Sequence, residues 1–223
     1  MDKLVDDFEK SLFNSSKDVI SDYLEIGIDS LMNEGILKEI PIVNTIVGVL
    51  KIGKNVHDRN LLKQTLTFIN EFNNNKISHD KLKQYKITIE NNPKRCEEEL
   101  GRILLLLNNF IDKEKSIMLA QIFKAYIEKI INWNEFCEYS EIINRLFIQD
   151  INLLNMIYDG RVTDTTNRGD LYRVERLNSL GIIGISFKST RITTINGVQQ
   201  ENRQDSYLSM NSNGRKFMNI ING

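Results

Sequence analysis

The stretch Glu97-Glu98-Glu99-Leu100-Gly101-Arg102-Ile103-Leu104-Leu105-Leu106-Leu107-Asn108-Asn109-Phe110-Ile111 decides how the chain reads. Five consecutive aliphatic residues are apolar nearly all round a helix, the pattern of a helix that is central and buried. Asp112 stands where it can cap a following helix, and Ile117, Met118, Ala120, Ile122, Phe123, Tyr126, Ile127 and Ile130 give that helix a broad apolar face. Asn132 and Asn134 read as turn and N-cap residues. A further helix carries Phe136, Tyr139, Ile142, Ile143, Leu146 and Phe147. Short connections between such helices imply antiparallel neighbours, so residues 78–158 read as a helical bundle with Leu104, Leu107, Ile122, Phe123 and Ile143 in its core.

Working towards the N-terminus, residues 1–73 form an earlier helical segment. Leu4, Phe8 and Leu12, then Val19, Tyr23 and Ile26, recur at three- and four-residue spacing, which predicts an amphipathic helix with an acidic outer face. Residues 1–39 hold ten acidic side chains against four basic ones. Then comes Ile40-Pro41-Ile42-Val43-Asn44-Thr45-Ile46-Val47-Gly48-Val49-Leu50, eleven residues without a charge. A bilayer span takes about 20 residues, so this run is a buried core helix, a re-entrant segment or a surface anchor. Pro41 suits the first turn of a helix, where its missing N–H costs nothing, and that helix is expected to run to about His57. Another is expected through Leu61, Leu62, Leu66, Phe68, Ile69 and Phe72. Gly48 and Gly53 permit close helix approach, and Lys51, Lys54, Arg59 and Lys63 suit anionic headgroups. Ile42, Val43, Ile46, Val47 and Leu50 with those four cations are therefore the candidate membrane or partner contact, covered at rest by the amphipathic helix of residues 4–26.

Beyond residue 160 the character changes. Residues 160–168 are a polar linker, and a short helix from Asp170 to Leu180 closes at Gly181. Ile182-Ile183-Gly184-Ile185-Ser186-Phe187 and Ser206-Tyr207-Leu208-Ser209-Met210 read as strands, with Asn196-Gly197 as a hairpin turn. Asn213 to Ile221 reads as a final helix. The expected fold is mainly α: a helical bundle followed by a small α+β winged-helix-like module over residues 160–223. Arg173, Arg176, Lys188 and Arg191 make a candidate phosphate- or partner-facing patch.

Composition narrows the function. With 223 residues, 41% apolar, 26% charged and two prolines, the chain has material for a mostly helical core. A formal net charge of −1 argues against a dedicated nucleic-acid reader. Gly48-Val49-Leu50-Lys51-Ile52-Gly53-Lys54-Asn55 nearly spells a P-loop, but Asn55 replaces the magnesium-binding hydroxyl. His57 and His79, and Cys96 and Cys137, lack metal-ligand spacing. No catalytic constellation, metal or cofactor is expected. The Met-Asp-Lys-Leu-Val-Asp-Asp start lacks a secretory leader pattern, and lone cysteines fit reduced thiols in the cytoplasm.

Glu39 to Gly53 and His57 to Lys63 resemble an N-terminal segment of small bacterial proteins of defence loci. Arg176-Leu177-Asn178-Ser179-Leu180-Gly181-Ile182-Ile183 and Leu208-Ser209-Met210-Asn211-Ser212-Asn213-Gly214-Arg215-Lys216-Phe217 are similar to the end of the abortive-infection alpha proteins, where a winged-helix-like element closes with a strand and a Thr-x-x-Gly turn into a helix. Here Ser209 stands at the threonine position and an extra residue precedes Gly214. Lys115 to Phe136 resembles tellurite-resistance-B-like helical domains. The resemblance implies a role in anti-phage defence and supplies no catalytic residue. Three classes remain: an effector that turns the 40–53 helix onto the inner membrane surface, an adaptor or sensor that binds a phage or host protein, and a winged-helix transcription regulator. Homo-oligomers suit the first, since one short segment cannot span.

Overall fold

Four of the ten α-helices among the described residues start at a side chain that takes up a free N–H group of the first turn. In the computed structural model, which describes residues 2–15, 20–21, 40–49, 56–74, 77–165, 170–190 and 203–223, Leu4 N donates to Asp2 Oδ1 at 3.1 Å and starts α1 (Lys3–Asn14). Next come α2 (Pro41–Val49), α3 (Val56–Asn74) and α4 (His79–Glu90). Asn92 accepts from Arg95 N at 3.1 Å ahead of α5 (Pro93–Asn109), whose first residue is a proline that has no N–H to satisfy. Asp112 precedes α6 (Lys113–Ile127) without making a side-chain capping bond. Asn132 and Glu135 cap each other at the start of α7 (Trp133–Arg145): Glu135 N donates to Asn132 Oδ1 at 3.0 Å, and Asn132 N donates to Glu135 Oε2 at 2.8 Å. Asn134 lies inside that helix.

The chain divides into two compact units, residues 1–144 and 145–223. The blocks 1–73 and 78–144 thus share one unit, and residues 145–158, which the pattern groups with the bundle, belong to the other.

In the first unit α3 is the helix with the widest set of neighbours, packing on α1, α2, α5 and α6. It buries Leu62, Leu66, Phe68, Ile69 and Phe72 and also Gln64 and Thr65. Gln64 is satisfied on both sides, its amide donating to Ile111 O at 2.8 Å and its carbonyl accepting from Ser116 Oγ at 2.6 Å. Its burial therefore costs little. Phe123 on α6 anchors an aromatic cluster, its ring centroid 5.6–6.2 Å from those of Phe68, Phe72, Tyr85, Tyr126 and Phe136. Such tilted and edge contacts add to burial. Leu104, Leu107, Ile122, Phe123 and Ile143 are all buried.

Several sequence expectations shift. α5 is not buried all round, for Leu105 is 69% exposed and Ile111, just past the helix, 82%. The first helix stops at Asn14, because Ser15 is extended at φ −75° and ψ 140°. Val19, Tyr23 and Ile26 lie outside the described residues. His57 belongs to α3 rather than to the helix that starts at Pro41, and Leu146 and Phe147 follow α7 instead of ending it.

The second unit holds a 3₁₀ turn (Ile148–Asp150), α8 (Ile151–Tyr158), α9 (Leu171–Ser179), the antiparallel strands β1 (Ile183–Thr190) and β2 (Arg203–Met210), and α10 (Ser212–Ile221). Asn196-Gly197 lies outside the described residues. Ile183 pairs with Met210 and Ile185 with Leu208, so these side chains share one face; Ile183, Leu208 and Met210 are buried on it. Residues 163–165 run along the other edge of β2, with Leu208 N donating to Thr163 O at 2.7 Å and Asp164 bridged to Tyr207. α10 enters very close to the sheet. Asn211 accepts from Gly214 N at 2.8 Å, and a Cβ on Gly214 would fall 2.0 Å from Ile182 O. Only glycine permits that approach.

Candidate functional site

The charge-free helix α2 is held beneath α1. Ile42 and Val43 have no exposed surface and Ile46 is 2% exposed, while Val47 is half-buried. Val5, Phe8 and Leu12 form the buried stripe of α1, and α1 packs on α2. Two polar contacts accompany this packing. Ser11, itself fully buried, donates to Asp7 O at 2.7 Å and accepts from Ile42 N at 2.9 Å. Thr45 Oγ1 donates to Asp7 Oδ2. α2 has Ile40 at the position where a capping side chain would stand, so α1 supplies its cap from 31 residues away. Nothing in the spacing of either helix announces Ser11 or Asp7 in this role.

Leu50, Lys51 and Lys54 lie outside the described residues. Arg59 is half-buried and Lys63 exposed, both on α3. His57 and His79 are both exposed side chains, at 59% and 90%. No group of three or more His, Cys, Asp or Glu that could hold a metal occurs among the described residues, and among the same residues no helix is long and apolar enough to cross a membrane.

The basic patch of the second unit is organised around a buried acid. Asp150 is 1% exposed and sits at the end of the 3₁₀ turn. Arg173 Nε donates to its Oδ1 at 2.8 Å, and Arg176 Nε donates to its Oδ2 at 2.7 Å. A second Arg176 nitrogen reaches Oδ1 at 2.8 Å, which makes that pairing bidentate. Asp170, three residues before Arg173, stands farther off at 3.5 Å from it. The Arg176 guanidinium also lies over two rings, 4.3 Å from the centroid of Phe147 and 5.3 Å from that of Tyr172. Lys188 is exposed on β1, and Arg191 lies outside the described residues. Arg173 and Arg176 thus converge on Asp150, which the sequence reading of the patch did not include.

A second buried carboxylate, Glu99 at 3% exposure, accepts from Tyr85 and Tyr126 hydroxyls at 2.7 Å each and from Arg95 Nε at 2.6 Å. Burial, reinforced by Glu99, holds the Tyr85 phenol well above its ordinary range and pushes Tyr126 up to about 12. Cys96 is pushed up to about 12, by burial first and then by Glu9, whose carboxylate accepts from the thiol at 3.4 Å. These hydroxyls and this thiol stay protonated in neutral solution. The cluster ties α4, α5 and α6 together.

No family model, curated protein or solved structure matches this chain. Function therefore rests on its own residues.

Proposed function

We propose that this chain is a protein-binding adaptor or sensor of a bacterial defence system that engages its phage or host partner through the second unit. The observation that carries this reading is the pair Phe147 and Tyr172, 52% and 60% exposed, bordering the Arg176 guanidinium. Leu171, 41% exposed, adjoins Tyr172 in sequence. Large rings left in water beside an arginine that is already oriented are the residue types that dominate protein interfaces. Asp150 pre-orders Arg176, so little side-chain freedom is lost when a partner covers it. The defence setting is what the resemblance of residues 176–183 and 208–217 implies. A winged-helix-like reading of the unit is supported by the order α9, β1, β2, α10 and by the short segment 163–165 beside β2.

Two other readings are less favoured. Turning α2 outward would give up the burial of Ile42, Val43 and Ile46, roughly 5–9 kcal/mol, which is comparable to the whole stability of a domain. Its nine residues reach only about 14 Å of a hydrocarbon core of about 30 Å. A DNA-reading α9 would have to direct at phosphate or bases two arginines that already pair with Asp150.

The test is a phage challenge of cells expressing wild type or the double variant Phe147→Ala/Tyr172→Ala, with thermal melting of both purified proteins. Protection by wild type, lost in a variant of unchanged melting temperature, is the expected result. Full protection by the variant refutes the adaptor surface, and absence of protection by wild type across a phage panel removes the defence setting. Depolarisation or liposome leakage by wild type would instead restore the membrane reading.

A further inference from the structure

The first unit carries a separate groove, independent of the patch just described. It runs between α1, α3 and α5, with a volume of about 640 Å³ and an apolar lining that includes Leu4, Leu61, Leu104 and Leu105. A second cleft of about 390 Å³ shares Asp2, Leu4, Leu61 and Asn108 with it and extends it to Thr45 and Ile46 on α2. Leu105, 69% exposed, is the one member of the Ile103–Leu107 run that the fold leaves in water. We propose that this groove docks a cationic amphipathic helix of a partner protein.

Charge selects the sign of that partner. Asp2, Glu97 and Glu98 stand on the rim. Asp58 lines the extension, and its Oδ2 is buried with no hydrogen-bond partner among the described residues. Against these acids stand Lys3, His57, whose Nδ1 lies 3.7 Å from Asp58 Oδ1, and Arg102, which pairs with Glu141 at 3.0 Å while its Nε is buried with no hydrogen-bond partner among the described residues. A carboxylate rim over an apolar floor attracts lysine and arginine and disfavours acidic partners. The walls select the conformation. They are the sides of helices, whose interior backbone groups are bonded to one another, so an extended peptide would find few groups to pair with its own. A helix arrives with its backbone satisfied and presents apolar anchors at three- and four-residue spacing. The volume suits two or three large side chains.

The experiment uses the full chain and two synthetic helical peptides of identical leucine pattern, one with lysine and one with glutamate at the polar positions, read by fluorescence anisotropy. The lysine peptide is expected to bind and the glutamate peptide not. Glu97→Lys/Glu98→Lys should weaken binding about tenfold or more. The decisive variant is Leu105→Glu. It adds negative charge, so attraction to the protein surface alone would strengthen binding, whereas docking into the groove requires it to weaken about tenfold or more. Both substitutions fall on exposed side chains, and unchanged melting temperatures establish that they fold. The proposal is overturned if the lysine peptide fails to bind at about 1 mM, if both peptides bind alike, or if Leu105→Glu binds as tightly as wild type or tighter. A small apolar molecule retained by the purified protein in native mass spectrometry, and displaced by neither peptide, would also overturn it by assigning the groove to a small ligand.

Discussion

Replacing Ser11 by alanine removes a single oxygen from a fully buried position and leaves the start of α2 without its cap. Pro41 has no N–H to satisfy, and Val43 N and Asn44 N donate to Ile40 O at 3.1 and 3.3 Å. Ile42 N therefore relies on Ser11 Oγ at 2.9 Å. In Ser11→Ala that N–H stays buried with no acceptor, a penalty of about 1–3 kcal/mol that overlaps the measured range for losing a helix cap. At about 2 kcal/mol, the melting temperature of a unit this size should fall by roughly 4–8 °C. The local signature is sharper. If α2 opens as a piece, exchange of the Ile42 amide with deuterium should accelerate roughly 30-fold, while core amides of α3 speed up only as far as global stability falls. An Ile42 amide as protected in Ser11→Ala as in wild type would refute the claim that α1 caps α2, whatever the melting temperature does.

Other consequences can be measured independently. Asp150→Ala takes the shared carboxylate from two guanidinium groups, of which Arg173 keeps Gln149 O and Asp170 as partners. Loss of one partner from a fully buried pair costs about 3–5 kcal/mol, and because water reaches both arginines, at 24% and 33% exposure, the expected cost is roughly 2–3 kcal/mol, read by urea denaturation with Asp150→Asn as the milder control. Gly214→Ala places a Cβ 2.0 Å from Ile182 O; α10 must shift, and the amide spectrum of β1, β2 and α10 should change or the second unit should lose its cooperative melt. In the unfolded chain tyrosines ionise near pH 10, whereas folding holds Tyr85 well above that and Tyr126 at about 12. The unfolded state then binds fewer protons than the native state as pH rises from 10 to 12, so stability should decline across that window, and Tyr126→Phe should flatten the decline when melting is followed against pH. The Cys96 thiol, also raised to about 12, should react with a thiol reagent at neutral pH only at the rate of unfolding.

Local chemistry was legible in the sequence where cause and effect lie within one helical turn. Asn132 is readable as a residue at a helix start and caps the helix that follows it, because a cap reaches only two or three residues. Asn92 and Asn211 cap their helices in the same way although the sequence reading does not name them, and Asp112, which it does name, makes no capping bond. The three- and four-residue spacing of Leu4, Phe8 and Leu12 marks α1, and alternation around Ile183 and Ile185 marks a strand, because those periods are set by backbone geometry. The mainly helical character and the small sheet near the C-terminus follow from such signals. What only tertiary structure decided is which face each helix turns inward and which charges meet. Ser11 caps a helix 31 residues away, and Asp150 gathers arginines 23 and 26 residues beyond it. Gln64 and Thr65 enter the core while Leu105, inside the most apolar run of the chain, stays in water. Hydrophobicity is non-directional and states only that a residue favours burial; whether it is buried depends on neighbours brought in from distant parts of the chain.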